Sequence, residues 1–466
     1  PFDVSAITAK VEQALVDQDF RKLLRTNSLQ RAKLFSWDET ARRAIRAWEA
    51  LLEKAITTPI DRLIGCKPKL AFVSPLPPER TGIADYSVEL LPALTEYYEI
   101  NIVVLQYHVD SPWVNHHCKV RDVAWLREHA GEIDRVLYHI GNSPFHGHMW
   151  PLINEIHGTV VLHDFFISGL LAWLESQTGA GKTWTKALYD SHGYAAVQDR
   201  YRDTAAAQRD YPANFAVIQN ALGVIVHSHY SKQLGQEWYG DKLPLEWRVI
   251  PHLRKPAPAF DQKETKRQLG FDANDFLICS FGFLGPTKLN NRLLECWLES
   301  SLFKDTHCHL VFVGENHDGR YGADLHEKIK QSGAKNRLHI IGFAAPDLYE
   351  LYLNAADTAV QLRALSRGET SGTALDCMNH AVPLVVNANG SMGELDPSAV
   401  WMLPEEFGNE NLIEALETLR IDSDKRRILG QYACTIIKKR HSPEACARKY
   451  VEAIEHFERR NETSTS

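Results

Sequence analysis

The chain has 466 residues, 44% of them hydrophobic and 24% charged, with a formal net charge of −7. Domains cluster at roughly 100 to 200 residues, so this length holds two or three of them, and the acidic balance excludes a general nucleic-acid binder. No apolar run approaches the ~20 residues of a transmembrane helix, and eight scattered cysteines without a CxxC pair indicate neither a zinc site nor a disulfide framework. A reducing cytoplasm is the expected compartment. The start at Pro1, without a signal-peptide pattern, suggests a piece of something longer.

Residues 1 to about 66 read as a helical segment. Ser36-Trp37-Asp38-Glu39 forms a capping box ahead of Ala41, Ala44, Ile45, Trp48, Leu51, Leu52 and Ala55, which follow the helical period. The same design returns at the other end of the chain. There Ser442 caps a helix with Pro443 at its first position and Cys446, Ala447, Tyr450, Val451 and Ile454 on one face. Laid over each other without gaps, the two segments match Arg21 with Arg427, Lys33 with Lys439, Ser36 with Ser442 and Ala47 with Ala453. A private helical extension that docks a membrane or a partner through Arg21, Lys22, Arg25, Arg31 and Lys33 is the alternative.

From Lys69 short hydrophobic strands alternate with helices, the mark of a parallel sheet. Leu70–Val73 is the first strand, and the loop Pro75 to Gly82 leads from it into a helix from Ile83 to Leu94. Strands follow at Ile102–Leu105, Val136–Ile140 and Thr159–Leu162, the last ending in His163-Asp164. A histidine emerging from the carboxyl end of a strand is placed for site chemistry, with a satisfied structural histidine as the alternative. Gly141-Asn142-Ser143, with His146 and His148, ends the preceding strand. The two histidines are spaced like metal ligands, but no third ligand accompanies them. A further strand, Gly223–Val226, leads to His227-Ser228.

The Pro- and Ala-rich stretch Arg254 to Asp261 is a linker. The second sheet begins at Phe276–Phe281 and runs into Gly282-Phe283-Leu284-Gly285-Pro286-Thr287-Lys288; strands at Leu310–Val313 and Leu338–Gly342 follow. Val360–Leu362 is a strand, the loop after it is rich in small hydroxyl residues, a helix opens near Gly372, and Leu384–Val386 is the next strand. In an open parallel sheet ligands sit beyond the carboxyl ends of the strands, and the first amides of the next helix have no partner within it. Thr370, Ser371, Gly372 and Thr373 are therefore placed to hold a diphosphate. Arg363 and Arg367 lie on the same loop, and guanidinium groups match phosphate. Glu369 is out of place beside phosphate unless it serves something else, such as the hydroxyls of a sugar.

A Glu at 369, a Gly three residues on, an acidic residue at Asp376 and Val382-Pro383 before a hydrophobic strand together resemble glycosyltransferase family 4. The resemblance covers Lys69 to about Arg459. Six residues separate Glu369 from Asp376 where the family keeps seven, and Ala381 stands where a Gly normally precedes Val-Pro. The resemblance implies the GT-B architecture: an α/β protein whose two Rossmann-like domains face each other across a cleft, with an acceptor domain at 67–253, a nucleotide-sugar domain at 254–430 and C-terminal helices at 431–466 packing back on the first. It implies that Glu369 contacts the donor sugar, that Asp376 binds ribose, and that His163 of the His-Asp pair contacts the sugar. Gly82 and Gly282 would let the backbone approach the donor. Main-chain groups near Phe343 and Ala344 would read the base, and Lys288 would grip the diphosphate. The arginine that usually accompanies that lysine is Phe283 here, so Arg363 or Arg367 is expected to supply its charge. Asn142, Ser143 and His146 would line the acceptor side. Val249-Ile250-Pro251-His252 resembles the segment that ends the family's first domain, and Phe35 to Ala41 resembles its final-helix signature. On that likeness residues 1–66 are the tail of a preceding catalytic domain.

The implied activity is transfer of a hexose, with retention, from a nucleotide diphosphate sugar to a growing surface polysaccharide or lipid-linked glycan. Mannose or rhamnose is expected, with GDP-mannose the first donor. No DxD pair sits where a metal would be needed, so none is expected, and neither is a cofactor beyond the substrate. The partners expected are donor, acceptor, other domains of a longer chain and the inner face of a membrane. An epimerase or hydrolase acting on the nucleotide sugar, and a silent glycan- or nucleotide-binding domain, are the alternatives.

Overall fold

The computed structural model describes residues 4–33, 67–177, 181–240 and 246–465. The chain divides into two compact units, Pro1–Cys66 and Lys67–Ser466. In the first, the described residues form helices Val4–Val16 and Gln18–Lys33, with the Asp17 carboxylate between them accepting from the amides of Asp19 and Phe20. The capping box at Ser36 and the signature at Phe35–Ala41 lie outside the described residues.

The second unit holds two parallel sheets. The first contains β1 (Lys69–Val73), β2 (Glu99–Val103), β3 (Lys119–Arg121), β4 (Arg135–Ile140), β5 (Thr159–Leu162), β6 (Gly223–Val226) and β7 (Trp247–Val249), in the order β3-β2-β1-β4-β5-β6-β7. The second contains β8 (Phe276–Phe281), β9 (Cys308–Val313), β10 (Leu338–Ile340), β11 (Thr358–Gln361), β12 (Leu384–Asn387) and β13 (Trp401–Leu403), in the order β10-β9-β8-β11-β12-β13. This is the GT-B fold. Every neighbouring pair is parallel, which is why β5, β6 and β8 are apolar without alternation: helices cover both faces. In the second domain alternate residues feed opposite faces. Phe276, Ile278, Leu310 and Phe312 join one core, and Leu277, Cys279, Val311 and Val313 the other.

Between β5 and β6 the chain inserts five helices that the sequence reading passed over, from Ser168–Ser176 to Phe215–Asn220, packed around the buried Trp184. The crossing back to the first domain falls at His441-Ser442. The helix Ser423–Arg440 keeps Ala433 and Ile437 in the second domain's core, and Pro443–Thr465 returns to the first sheet. Ser442 Oγ accepts from the Ala445 amide, and Cys446, Ala447, Tyr450, Val451 and Ile454 are fully buried. Tyr450 shares a 2.8 Å hydrogen bond with Tyr86. Glu455 accepts from the Tyr98 hydroxyl at 3.0 Å and pairs with Arg135 at 3.0 Å. Phe457 packs against Gly223, where a Cβ would come within 2.3 Å of the ring.

Candidate active site in the interdomain cleft

The carboxyl ends of both sheets open onto a cavity of about 1010 Å³. From the first domain Gly82, Tyr86, Glu89 and His163 line it. The linker contributes His252 and Arg254, and the second domain Tyr349, Glu369, Thr370, Gly372, Thr373 and Asp376.

The helix Gly372–Asn379 starts at the cleft wall. Ser371 is its N-cap, its Oγ accepting from the Ala374 amide and from Arg363 Nη2 at 3.0 Å, with Thr373 Oγ1 at 3.3 Å. Gly282 has φ +94°, a conformation that favours glycine, and a Cβ there would meet Thr373 Cγ2 at 3.4 Å. Glu369 is folded onto its own loop, one carboxylate oxygen accepting from the Arg367 amide at 2.7 Å. The Thr370 hydroxyl is buried without a partner. Lys288 ends a short turn, Pro286–Lys288, and burial together with the Arg363 charge lowers its ammonium pKa to about 7, the Glu369 carboxylate opposing this.

Of the two predicted arginines, Arg363 touches the helix start and Arg367 does not. Arg363 is buried, its guanidinium donating to the Leu362 carbonyl and to Ser371 Oγ. Arg367 reaches across to the first domain, its guanidinium 6.0 Å from the centre of the Phe166 ring. A further arginine at the helix start is Arg254, on the linker: its Nε lies 2.7 Å from Asp376 Oδ1. Asp376 Oδ2 also accepts from the Tyr349 hydroxyl at 3.1 Å, so the carboxylate expected to hold ribose is paired at both oxygens. Phe283 and Phe343 are exposed, and Arg80 of the first domain sits 5.9 Å over the Phe343 ring. Ala344 follows Phe343 on the same turn. Neither residue lies on the cavity wall, nor do Gly282, Lys288, Arg363, Arg367 and Ser371.

His163 belongs to a chain of buried imidazoles. His227 Nδ1 lies 2.9 Å from the Ile250 carbonyl, His163 Nδ1 3.2 Å from His227 Nε2, and His139 Nδ1 3.0 Å from His163 Nε2. A carbonyl only accepts, so His227 must donate through Nδ1, and in a neutral ring its Nε2 then accepts. The same step repeated makes His163 and His139 donate through Nδ1, leaving His139 Nε2 at the end without a partner. Burial holds all three rings neutral, pushing His227 down to about 4 and the other two well below the usual imidazole range. The edge of Tyr86 packs on this cluster, 4.9 Å from His163 and 5.3 Å from His227 between ring centres. Both ring nitrogens of His163 are thus engaged inside the first domain.

The three residues expected on the acceptor side do not reach this wall. Asn142 donates its amide to Asp164 Oδ2 at 2.7 Å and accepts from Leu170 N at 2.8 Å. Ser143 and His146 bond each other at 3.0 Å, and burial lowers His146 to about 4. Among the described residues, one group of side chains suited to a cation is Asp272, Asp275 and His307. It precedes β8 and β9, at the amino edge of the sheet, and six residues of strand put it ~20 Å from the cleft.

Residues 261–435 match the family model described as Glycosyl transferases group 1. The matched segment runs from the linker through the Gly372 helix to Ser423–Arg440, and so contains the whole second sheet. Among solved structures the chain is similar to Alr3699/HepE of Anabaena in complex with UDP-glucose, at 18% identity and a TM-score of 0.60, covering 84% of this chain and 100% of that one. It is also similar to sucrose-phosphate synthase from Thermosynechococcus elongatus (15%, TM-score 0.56, 86% and 100%) and to WaaG, a glycosyltransferase involved in lipopolysaccharide biosynthesis (15%, 0.54, 83% and 99%). No curated protein matches the chain in sequence.

Proposed function

We propose that this chain is a retaining, metal-independent hexosyltransferase that moves a sugar from a nucleoside diphosphate to a glycan or lipid-linked acceptor. The observation that carries the reading is the juxtaposition of Glu369 with the amides of Gly372 and Thr373 on one wall of a cavity spacious enough for a nucleotide sugar. A helix start draws phosphate, and a carboxylate beside it is tolerated when sugar hydroxyls lie between the two. In the reaction the bond from C1 to the diphosphate oxygen breaks while the acceptor oxygen bonds to C1 on the same face. The acceptor's proton passes to the departing phosphate oxygen. Lys288 and the amides of the Ser371–Thr373 turn carry the developing charge. His163 lines the cavity, where it meets the donor sugar in this reading.

GDP-mannose remains the first donor, with a rhamnose donor beside it; the Anabaena structure bound to UDP-glucose supports testing that donor too. The acceptor is a surface polysaccharide or its lipid-linked precursor, reached at the inner face of a membrane. Incubation with a panel of nucleotide sugars and a lipid-linked or synthetic oligosaccharide, read by mass spectrometry, tests the reading. Product should form in EDTA. Donor turnover without acceptor would favour an epimerase or hydrolase, and no turnover with any donor a silent binding domain. Glu369→Gln should leave nucleoside diphosphate affinity equal or slightly better while transfer falls about 10²-fold, or about 2.7 kcal/mol. Wild-type transfer by that variant would remove Glu369 from the site.

A further inference from the structure

Of the two arginines of the donor loop, Arg363 is buried against Ser371 Oγ and Arg367 rests on Phe166. The linker brings another arginine to the helix start. The Arg254 backbone is fixed, its amide donating to the His441 carbonyl at 2.7 Å. Its side chain is 13% exposed. Nη1 lies 2.7 Å from His252 Nδ1 and donates to the Leu253 carbonyl at 2.8 Å, while Nε faces Asp376. Nη2 rests on the first residue of the helix, 2.7 Å from where a Cβ on Gly372 would stand. Any side chain larger than glycine at 372 would therefore displace the guanidinium from the helix start.

We propose that Arg254 is a ligand of the donor diphosphate. This deepens the donor-site reading above and rests on it. Its Nη2 edge and the unpaired amides of the helix converge on one end of the cleft, so an anion bound there meets a fixed cation and aligned N–H groups together. Asp376 holds the guanidinium in that orientation through Nε and leaves the Nη2 edge to the cleft. Because the linker joins the two domains and is tied to His441 at the second crossing, a diphosphate on Arg254 also contacts the hinge directly.

The test is calorimetry with UDP and GDP, and with uridine and guanosine, on the full chain. Arg254→Ala should weaken the diphosphates about tenfold to a hundredfold and leave the nucleosides unchanged. Arg254→Lys should recover part of the loss, because it restores charge without the planar fork. Asp376→Asn removes the ion pair that orients the guanidinium while keeping its charge, so it should weaken the diphosphates by less than Arg254→Ala does; an unchanged urea midpoint in Arg254→Ala controls for folding. Equal losses for nucleoside and diphosphate, or wild-type diphosphate affinity in Arg254→Ala, would overturn the assignment. If at the same time Lys288→Ala loses the diphosphate selectively, the donor site stands without Arg254. Failure of the unmutated chain to bind either diphosphate would overturn both readings.

Discussion

Lys288 makes nucleotide affinity depend on pH in a direction that can be worked out. Burial and the Arg363 charge lower its ammonium pKa to about 7, against an ordinary ~10.4. As pH rises through 7 the free protein loses this charge. A bound diphosphate restores it, so the complex takes up a proton. Above pH 7 the apparent affinity should fall toward tenfold per pH unit, about 1.4 kcal/mol each, until the pKa of the complex is passed. The phosphate's own titration, near 6, lies below this window. Calorimetry at pH 8 in two buffers of different ionisation enthalpy should show uptake of about 0.9 proton, because about a tenth of the free Lys288 is still charged there. Stability runs the other way: between 7 and ~10.4 the unfolded chain binds the proton and the folded one does not, so this group's contribution rises with pH. An affinity that stays flat from pH 7 to 9, or an equal slope in Lys288→Met, would refute the argument.

Gly223→Ala pushes a methyl group into the Phe457 ring and should cost about 1–3 kcal/mol in urea unfolding, recovered in part by Phe457→Leu; an unchanged midpoint would contradict the packing described. In nitrogen-detected NMR, His163 should show one protonated Nδ1 and an unprotonated Nε2 with no titration from pH 5.5 to 8, and His227→Phe should remove its Nδ1 acceptor and alter both shifts. Titration of wild-type His163 near 6.5 would break the chain of tautomers derived above.

The sequence displayed whatever depends on local pattern. Fully buried strands such as β8 announce themselves as apolar runs, and Ser442-Pro443 and Ser371-Gly372 mark helix starts, because capping is decided within four residues. Strands β3, β7 and β13 are three residues long, too short for a period. Long-range partners were hidden. Arg254 meets Asp376, and His139, His163 and His227 meet only because parallel pairing of β4, β5 and β6 sets the ends of three distant segments side by side. Arg363 carried the right chemistry for phosphate, and no local signal tells that its guanidinium folds inward onto Ser371. The preference for a His at a strand end found His163 but not that both its nitrogens are used.

The loop after β12 carries one further consequence. Glu394, from the second domain, receives the amides of His229 and Tyr230, the first residues of the first domain's helix His229–Tyr239, while Ser228 receives that of Ser231. Beside it Ser231 Oγ donates to the Gly368 carbonyl on the donor loop. The helix therefore borrows part of its N-terminal cap from the opposite domain. Parting the domains is then more than a rigid swing: it strips two amides of their acceptor, and the first turn of that helix must either recruit water or unwind. Amide exchange at His229 and Tyr230 thereby becomes a gauge of how often the cleft opens, readable without any substrate.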